Sequence, residues 1–160
     1  MSIEIKKCAV LGAGVMGAQI AGHIANAGIP SLLFDMNEDL AQRGVDGLTK
    51  LKPAPLFSPS NASLVMPCTY ENDMEKLKDC DLIIEAVAEK IEIKHAVYKN
   101  LLPYLKKGAI LASNTSGIPL ANLVEVLPED VQKSFLIAHF FNPPRYLKLL
   151  ELVKGEKTSD

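Results

Sequence analysis

Residues 7–35 read KCAVLGAGVMGAQIAGHIANAGIPSLLFD, and this stretch decides the fold. An apolar strand from Cys8 to Leu11 runs directly into a G-x-G-x-x-G pattern, and a helix-like segment and a second apolar strand follow. A strand, a glycine-rich turn, a helix and a second strand make up the βαβ unit that binds dinucleotides. The pattern therefore predicts a Rossmann-type domain with a dinucleotide site at the turn. The alternative is a glycine-rich turn that holds no ligand.

Each residue of the motif has its own physical role in such a site. Gly12 permits the tight turn, Gly14 lets a pyrophosphate approach the backbone because it has no Cβ, and Gly17 allows close packing of helix and strand. Asp35 ends the second strand, where a carboxylate accepts a hydrogen bond from the adenosine ribose and repels a 2′-phosphate. The nearest downstream cation is Arg43. We therefore predict NAD, in preference to NADP, as the cofactor.

Strand-like and helix-like segments alternate along the whole chain, which is typical of a parallel α/β sheet. We predict a single domain over residues 1–160, with a doubly wound, mostly parallel sheet and antiparallel strands near the C-terminus. The predicted strands are 7–11, 31–35, 64–66, 81–87, 108–113, 134–141 and 147–153, and the predicted helices are 16–27, 38–51, 91–105 and 119–127. Residues 52–61 are rich in proline and serine and are expected to form a loop.

Composition excludes several classes of protein. The net charge is −2 and no basic tract occurs, so nucleic acid is not an expected partner. The uncharged run from Cys8 to Phe34 is interrupted by Gly-Ile-Pro at 28–30, which indicates buried strands instead of a membrane span. The other cysteines are Cys68 and Cys80; the number is odd and no spacing fits a metal site. We expect reduced, buried thiols in a cytoplasmic protein without a bound metal.

His139 is the best candidate for a general base. It follows an apolar strand, and Glu151 lies twelve residues further on, with Arg145 of a proline-rich turn at the midpoint. If the two strands form a hairpin about that turn, His139 and Glu151 become cross-strand neighbours, and the carboxylate can orient the imidazole. The alternative is a histidine satisfied by a backbone carbonyl. His23 and His95 lie within helical segments and are expected to be structural.

Five segments together are similar to the L-3-hydroxyacyl-CoA dehydrogenase family, and the resemblance covers essentially the whole chain. The segments are VLGAGVMG (10–17), IEAV (84–87), ASNTS (112–116), HFFNP (139–143) and LLELV (149–153). The resemblance implies NAD-dependent oxidation of L-3-hydroxyacyl-CoA to 3-oxoacyl-CoA in fatty acid β-oxidation. It also implies catalytic roles for His139 as base, Glu151 as its partner, Ser116 and Asn142. The cofactor-binding residues that it implies are Gly12, Gly14, Met16, Gly17, Asp35, Val87, Glu89, Lys94, Ser116 and Asn142.

The chain departs from the family pattern at three places. Lys90 stands where the family usually has asparagine after its glutamate, Gly117 replaces a hydroxyl-bearing residue, and the helical hairpin after the second strand is short. Without the resemblance, Ser116 reads as a turn or N-cap serine. Glu89 and Lys94 read equally well as a solvated helix start.

The resemblance also implies a homodimer, formed through a C-terminal helical domain that contributes to the acyl-CoA site. We expect that domain to be absent from this chain and the isolated chain to be a weak catalyst or inactive. Two further functions stay open at this point. One is a related dehydrogenase acting on a hydroxy acid or sugar acid, and the other is a non-catalytic NAD-binding module.

Overall fold

The computed structural model describes residues 3–160, within which seven strands and five α-helices occur. The strands are β1 (Cys8–Leu11), β2 (Ser31–Asp35), β3 (Val65–Thr69), β4 (Leu82–Glu85), β5 (Ile110–Ser113), β6 (Phe135–Phe140) and β7 (Leu150–Lys154). The α-helices are α1 (Val15–Asn26), α2 (Glu38–Gly47), α3 (Ile91–Leu101), α4 (Leu120–Leu123) and α5 (Glu129–Gln132). Short 3-10 helices cover Pro59–Leu64, Met74–Asp79, Leu102–Tyr104 and Val124–Val126.

All seven strands form one sheet in the order β3-β2-β1-β4-β5-β6-β7. The first six run parallel, and β7 alone pairs antiparallel, with β6. The order reverses between β1 and β4, and in open α/β sheets ligands bind beyond the carboxyl ends of the strands at such a point. The predicted Rossmann-type, doubly wound and mostly parallel sheet is confirmed.

Apolar side chains pack on both faces of the sheet. Along β1, Ala9 and Leu11 belong to one buried cluster, whereas Val10 belongs to a second cluster on the opposite face. The helix α1 covers the Val10 face with small residues such as Ala18 and Ala21, which allow a close approach. The helix α3 covers the other face with residues that include Tyr98. Helices on both faces explain why β1 is apolar throughout.

Several predicted boundaries were wrong at the element ends. The helix α2 ends at Gly47, short of residue 51, because the Leu48 N–H bonds to the Val45 carbonyl and tightens the chain into a turn. The segment 119–127 is half α-helix and half 3-10 helix. The last strand begins at Leu150, since residues 146 and 147 still donate to the Pro143 carbonyl in the preceding turn. Neither the 3-10 helix at 74–79 nor α5 was predicted.

The uncharged N-terminal run is divided between β1, the 12-residue α1 and β2. Within residues 3–160 no helix combines the length and apolarity needed to cross a membrane. The three cysteines, Cys8, Cys68 and Cys80, are buried and unpaired, as predicted. Burial raises the pKa of each thiol, to about 12, about 11 and about 12 respectively, so all three are protonated at neutral pH.

Candidate functional site

The glycine-rich turn follows β1 at the edge where the parallel strands end. Gly12 has φ of 103°, and an added Cβ would lie 2.6 Å from the Ala86 carbonyl oxygen. A Cβ on Gly17 would lie 1.8 Å from the Gly12 carbonyl oxygen. In contrast, a Cβ on Gly14 would meet no atom within 4 Å. Packing of the protein itself therefore requires glycine at 12 and 17, whereas the space beside Gly14 is open on the outer side of the turn.

The first turn of α1 presents unpaired backbone donors. Its first intrahelical bond runs from the Ala18 N–H to the Gly14 carbonyl, so the preceding N–H groups have no helical acceptor. No acidic residue occupies the first turn. Asp35 lies beside it, and its carboxylate accepts from the Ala13 N–H at 2.8 Å and the Met36 N–H at 2.7 Å. The carboxylate is thereby fixed at the end of β2, with acceptor capacity left on both oxygens.

A cavity of about 410 Å³ opens next to the turn, at the ends of β4, β5 and β6. It brings together many of the residues predicted for the site. The predicted residues that line it are Met16, Val87, Glu89, Lys94, Ser116, His139 and Asn142. Ala86, Asn114, Phe140 and Phe141 complete the wall. The predicted residues that do not line this cavity are Gly12, Gly14, Gly17, Asp35 and Glu151.

His139 and Glu151 are directly opposite each other in the β6–β7 pair, as the predicted hairpin requires. The distance from His139 Nδ1 to Glu151 Oε2 is 2.9 Å. A carboxylate only accepts, so Nδ1 carries a proton, and in the neutral ring Nε2 then has the lone pair. The Phe141 ring packs against the imidazole with a centroid distance of 4.6 Å. The strand end is fixed by Asn114, whose Oδ1 accepts from the Phe140 N–H at 2.9 Å.

Beneath the cavity lies a buried carboxylate that sequence reasoning missed. Glu85 ends β4 and is completely buried. One of its oxygens accepts from Tyr98 Oη at 2.6 Å and Ser113 Oγ at 2.8 Å, and the other accepts from Lys94 Nζ at 2.6 Å and the Val87 N–H at 3.1 Å. All four bonds together offset the cost of burying the charge. The available signal was a lone acid at the end of an otherwise apolar strand.

The buried ion pair of Lys94 with Glu85 excludes one of the two interpretations of Lys94. Its side chain is 1% exposed, so a solvated helix start is wrong for this residue. Its ammonium also lies 3.6 Å from Glu89, whose own side chain is 45% exposed. Burial acts to raise the pKa of Glu89, but the hydrogen bond from Thr115 and the charge of Lys94 outweigh it and hold that pKa below its ordinary value. Glu89 is therefore an ionised carboxylate at the cavity rim.

The network predicts a measurable contribution of Tyr98 to stability. Burial, together with the Glu85 carboxylate, raises the pKa of the Tyr98 hydroxyl far above its ordinary value, so this group is a permanent donor. We expect Tyr98→Phe to lower the free energy of unfolding by about 1.5–3 kcal/mol, the range for a hydrogen bond to a charged group. Urea unfolding of the unchanged protein and of the variant measures this loss. Tyr104→Phe is the control, and equal stability of the two variants would contradict the network.

Residues 7–160 match the family described as 3-hydroxyacyl-CoA dehydrogenase, NAD binding domain. The chain belongs to the 3-hydroxyacyl-CoA dehydrogenase family. It is 46% identical over 163 residues to a probable 3-hydroxyacyl-CoA dehydrogenase from Deinococcus radiodurans, covering 98% of this chain and 47% of that protein. It is 46% identical over 160 residues to a putative fatty acid oxidation complex trifunctional enzyme from Rickettsia felis, covering 96% of this chain and 22% of that protein.

Among solved structures, the fold is similar to 3-hydroxybutyryl-CoA dehydrogenase from Escherichia coli, with a TM-score of 0.83 and 29% identity. That comparison covers 98% of this chain and 34% of the solved chain. The chain thus spans less than half the length of each of these relatives. The family's NAD-binding domain is the part it matches, and NAD is the cofactor of this domain.

The residues present fit a dinucleotide that lies across the glycine-rich turn. A second, mainly apolar cavity of about 420 Å³ lies at the end of β1 and β2, where it is lined by Leu11, Met36, Tyr70, Ile93 and Val97 among others. The Tyr70 hydroxyl is buried and has no hydrogen-bond partner within residues 3–160. A flat nucleobase such as adenine, with polar atoms at its edges, suits such a cavity. The open space beside Gly14 leaves room for a pyrophosphate at the turn.

Proposed function

We propose that this domain serves the NAD-dependent oxidation of L-3-hydroxyacyl-CoA to 3-oxoacyl-CoA in fatty acid oxidation. One observation carries the proposal: the imidazole of the His139–Glu151 pair lines the same cavity as Met16, on the helix that follows the glycine-rich turn. A base and a cofactor site that share one cavity suit removal of a proton and a hydride from one alcohol carbon.

In the proposed reaction, His139 takes the proton of the 3-hydroxyl. Its Nε2 is the free acceptor because Nδ1 donates to Glu151. As the ring becomes positive, the Glu151 carboxylate stabilises the charge and keeps the imidazole oriented, which makes Glu151 a positioning residue. The C–H electron pair leaves with its hydrogen as hydride, and the C–O bond becomes a carbonyl.

Ser116 and Asn142 line the cavity close to the base. Ser116 is exposed at the cavity wall, so its hydroxyl is available to the substrate oxygen. Asn142 can donate to the same oxygen through its amide. Both donors stabilise the negative charge that develops as the hydroxyl proton leaves.

NAD supplies the electrophilic ring that accepts the hydride when it is bound. The chain's part is to hold the dinucleotide. We propose that the backbone donors at Gly14 and Gly17, in the first turn of α1, face the pyrophosphate, and that Asp35 accepts from the adenosine ribose. Gly12 is proposed to shape the turn around the cofactor, since its own N–H donates to the Phe34 carbonyl at 2.8 Å. Met16, Val87, Glu89, Lys94, Ser116 and Asn142 are the proposed contacts of the nicotinamide half, since they line the cavity beside the base. The adenine is proposed to occupy the cavity at Tyr70.

We propose that residues 1–160 act as one NAD-binding domain. We also propose that a helical domain completes the acyl-CoA site and forms a homodimer. Support comes from the outer strand β7, where Leu152 is 64% exposed and Val153 is 47% exposed. Leu149, just before the strand, is 60% exposed. Apolar side chains on both faces of one strand suit coverage by another domain or chain.

The choice of cofactor is testable at Asp35. NADH is expected to bind at least about tenfold more tightly than NADPH, because the fixed carboxylate repels the 2′-phosphate. Asp35→Ala should weaken NADH binding and reduce the difference in affinity between NADH and NADPH. Titration by nicotinamide fluorescence measures both affinities, with Asp39→Ala, an exposed acid on α2, as the control. Equal affinities of the unchanged protein for NADH and NADPH would contradict the role of Asp35.

A substrate panel tests the proposed activity. The complete protein is incubated with NAD and, separately, L-3-hydroxybutyryl-CoA, longer L-3-hydroxyacyl-CoA thioesters, free 3-hydroxybutyrate and a sugar acid. NADH formation with the thioesters alone supports the proposal. Turnover of a free hydroxy acid or sugar acid in preference would support the related-dehydrogenase alternative. Tight NADH binding without any turnover would support a non-catalytic module.

A further inference from the structure

Gln19 connects the cofactor helix to the loop that carries the proposed substrate donor. It lies in the second turn of α1 and is 6% exposed. Its Nε2 atom donates to the Val15 carbonyl at 3.2 Å and to Asn142 Oδ1 at 3.3 Å. The two amides are 123 residues apart in sequence. A buried glutamine on a helix face otherwise lined by small and apolar side chains calls for a specific partner.

The hydrogen bonds fix which way both amides point. The Val15 carbonyl can only accept, so the Gln19 atom that faces it is the nitrogen. An amide nitrogen has two hydrogens, and the second one points to Asn142. Asn142 must therefore present its oxygen to Gln19. Its own nitrogen, Nδ2, is turned the other way and makes no hydrogen bond within residues 3–160.

We infer that Gln19 is a positioning residue that holds the Asn142 amide with Nδ2 facing the cavity. Asn142 lines that cavity together with His139. On the proposed function, on which this inference rests, Nδ2 donates to the substrate oxygen from which His139 takes the proton. An amide turned by half a rotation would present an oxygen there and repel the developing negative charge. Gln19 thus couples the orientation of the donor to the helix that holds the cofactor.

Two substitutions at Gln19 separate this role from packing. Gln19→Met keeps the volume but has no donor, so kcat should fall about tenfold while NADH affinity stays within about twofold. Gln19→Glu places an acceptor there, which would attract Nδ2 and invert the Asn142 amide, so kcat should fall by about 30- to 100-fold. Thermal unfolding of each variant is measured alongside kcat. Gln132→Met is the matched control, since its amide nitrogen also bridges two carbonyls, remote from the site.

The order Gln above Met above Glu in kcat, with Gln19→Met as stable as the control, supports the inference. A Gln19→Met variant with unchanged kcat overturns it, and so does a loss of kcat that merely follows a loss of thermal stability. A second measurement does not depend on catalysis: the chemical shifts of the Asn142 side-chain amide in proton–nitrogen correlation spectra. They should move on Gln19→Met, and unmoved signals would overturn the inference. If the unchanged protein oxidises no hydroxyacyl-CoA, the proposed function fails, and these signals still test the Gln19–Asn142 contact.

Discussion

His139→Gln is expected to lower kcat for L-3-hydroxyacyl-CoA oxidation by about 10²–10⁴, the usual contribution of a general base. Glutamine can still donate to Glu151, so the fold of the β6–β7 hairpin is retained, but it offers no basic nitrogen to the hydroxyl. NADH affinity should stay within about twofold, because the glycine-rich turn and Asp35 are untouched. Steady-state kinetics of the complete protein and NADH titration are the measurements.

Substitution of Glu151, the partner of the histidine, should also lower kcat, although Glu151 does not touch the substrate. Glu151→Gln removes the charge that stabilises the imidazolium, and we expect kcat to fall by a smaller factor than for His139→Gln. The double variant should be no slower than His139→Gln alone, since Glu151 acts through the ring. Glu156→Gln, an exposed acid just beyond β7, is the control. Additive losses would show that the 2.9 Å contact does not couple the two residues in function.

Gly14→Val is expected to reduce NADH affinity by at least about 100-fold, which corresponds to about 2.7 kcal/mol. The side chain would occupy the open space outside the turn, where we propose that the pyrophosphate lies. The fold should tolerate it, because Gly14 has φ of −68° and a Cβ there meets no protein atom within 4 Å. The free energy of unfolding should change by only about 0.5 kcal/mol.

A matched pair of glycine variants separates binding from folding. Gly47→Val also enters open space but lies at the end of α2, so it should leave both stability and NADH affinity nearly unchanged. Gly17→Ala should instead lower the free energy of unfolding by about 1–3 kcal/mol, because its Cβ falls 1.8 Å from the Gly12 carbonyl oxygen. Undiminished NADH binding by Gly14→Val would place the dinucleotide away from the turn.

The fold was predictable because its signals are local and strong. The run from Cys8 to Asp35 contains strand, turn, helix and strand in the order that only a βαβ unit explains. The strands β4 and β5 are also mainly apolar, which marks them as buried strands of the same sheet. The symmetry of His139 and Glu151 about Arg145 predicted the register of the hairpin that the structure contains. Element ends were harder, because competition between 3-10 and α-helical turns after Gly47 or Leu123 depends on tertiary packing.

The polar layer beneath the site could not be predicted in the same way. The partners of Glu85 lie 9, 13 and 28 residues away on α3 and β5, and nothing in the spacing indicates that they converge on one carboxylate. The Gln19–Asn142 contact spans 123 residues and depends on how β6 and the following turn fold back over α1. Such contacts follow from the assembled sheet, so they appear only when its topology is known.

The central claim is that the cofactor and the histidine base meet in one cavity, and a nuclear Overhauser measurement on the NADH complex tests it most directly. The chain is labelled at its histidines and saturated with NADH. We predict cross-peaks between the nicotinamide protons and the ring protons of His139, with none to His95, whose ring bonds to the Asn122 carbonyl at 2.7 Å. NADH that binds but shows contacts elsewhere, and none to His139, would contradict the account.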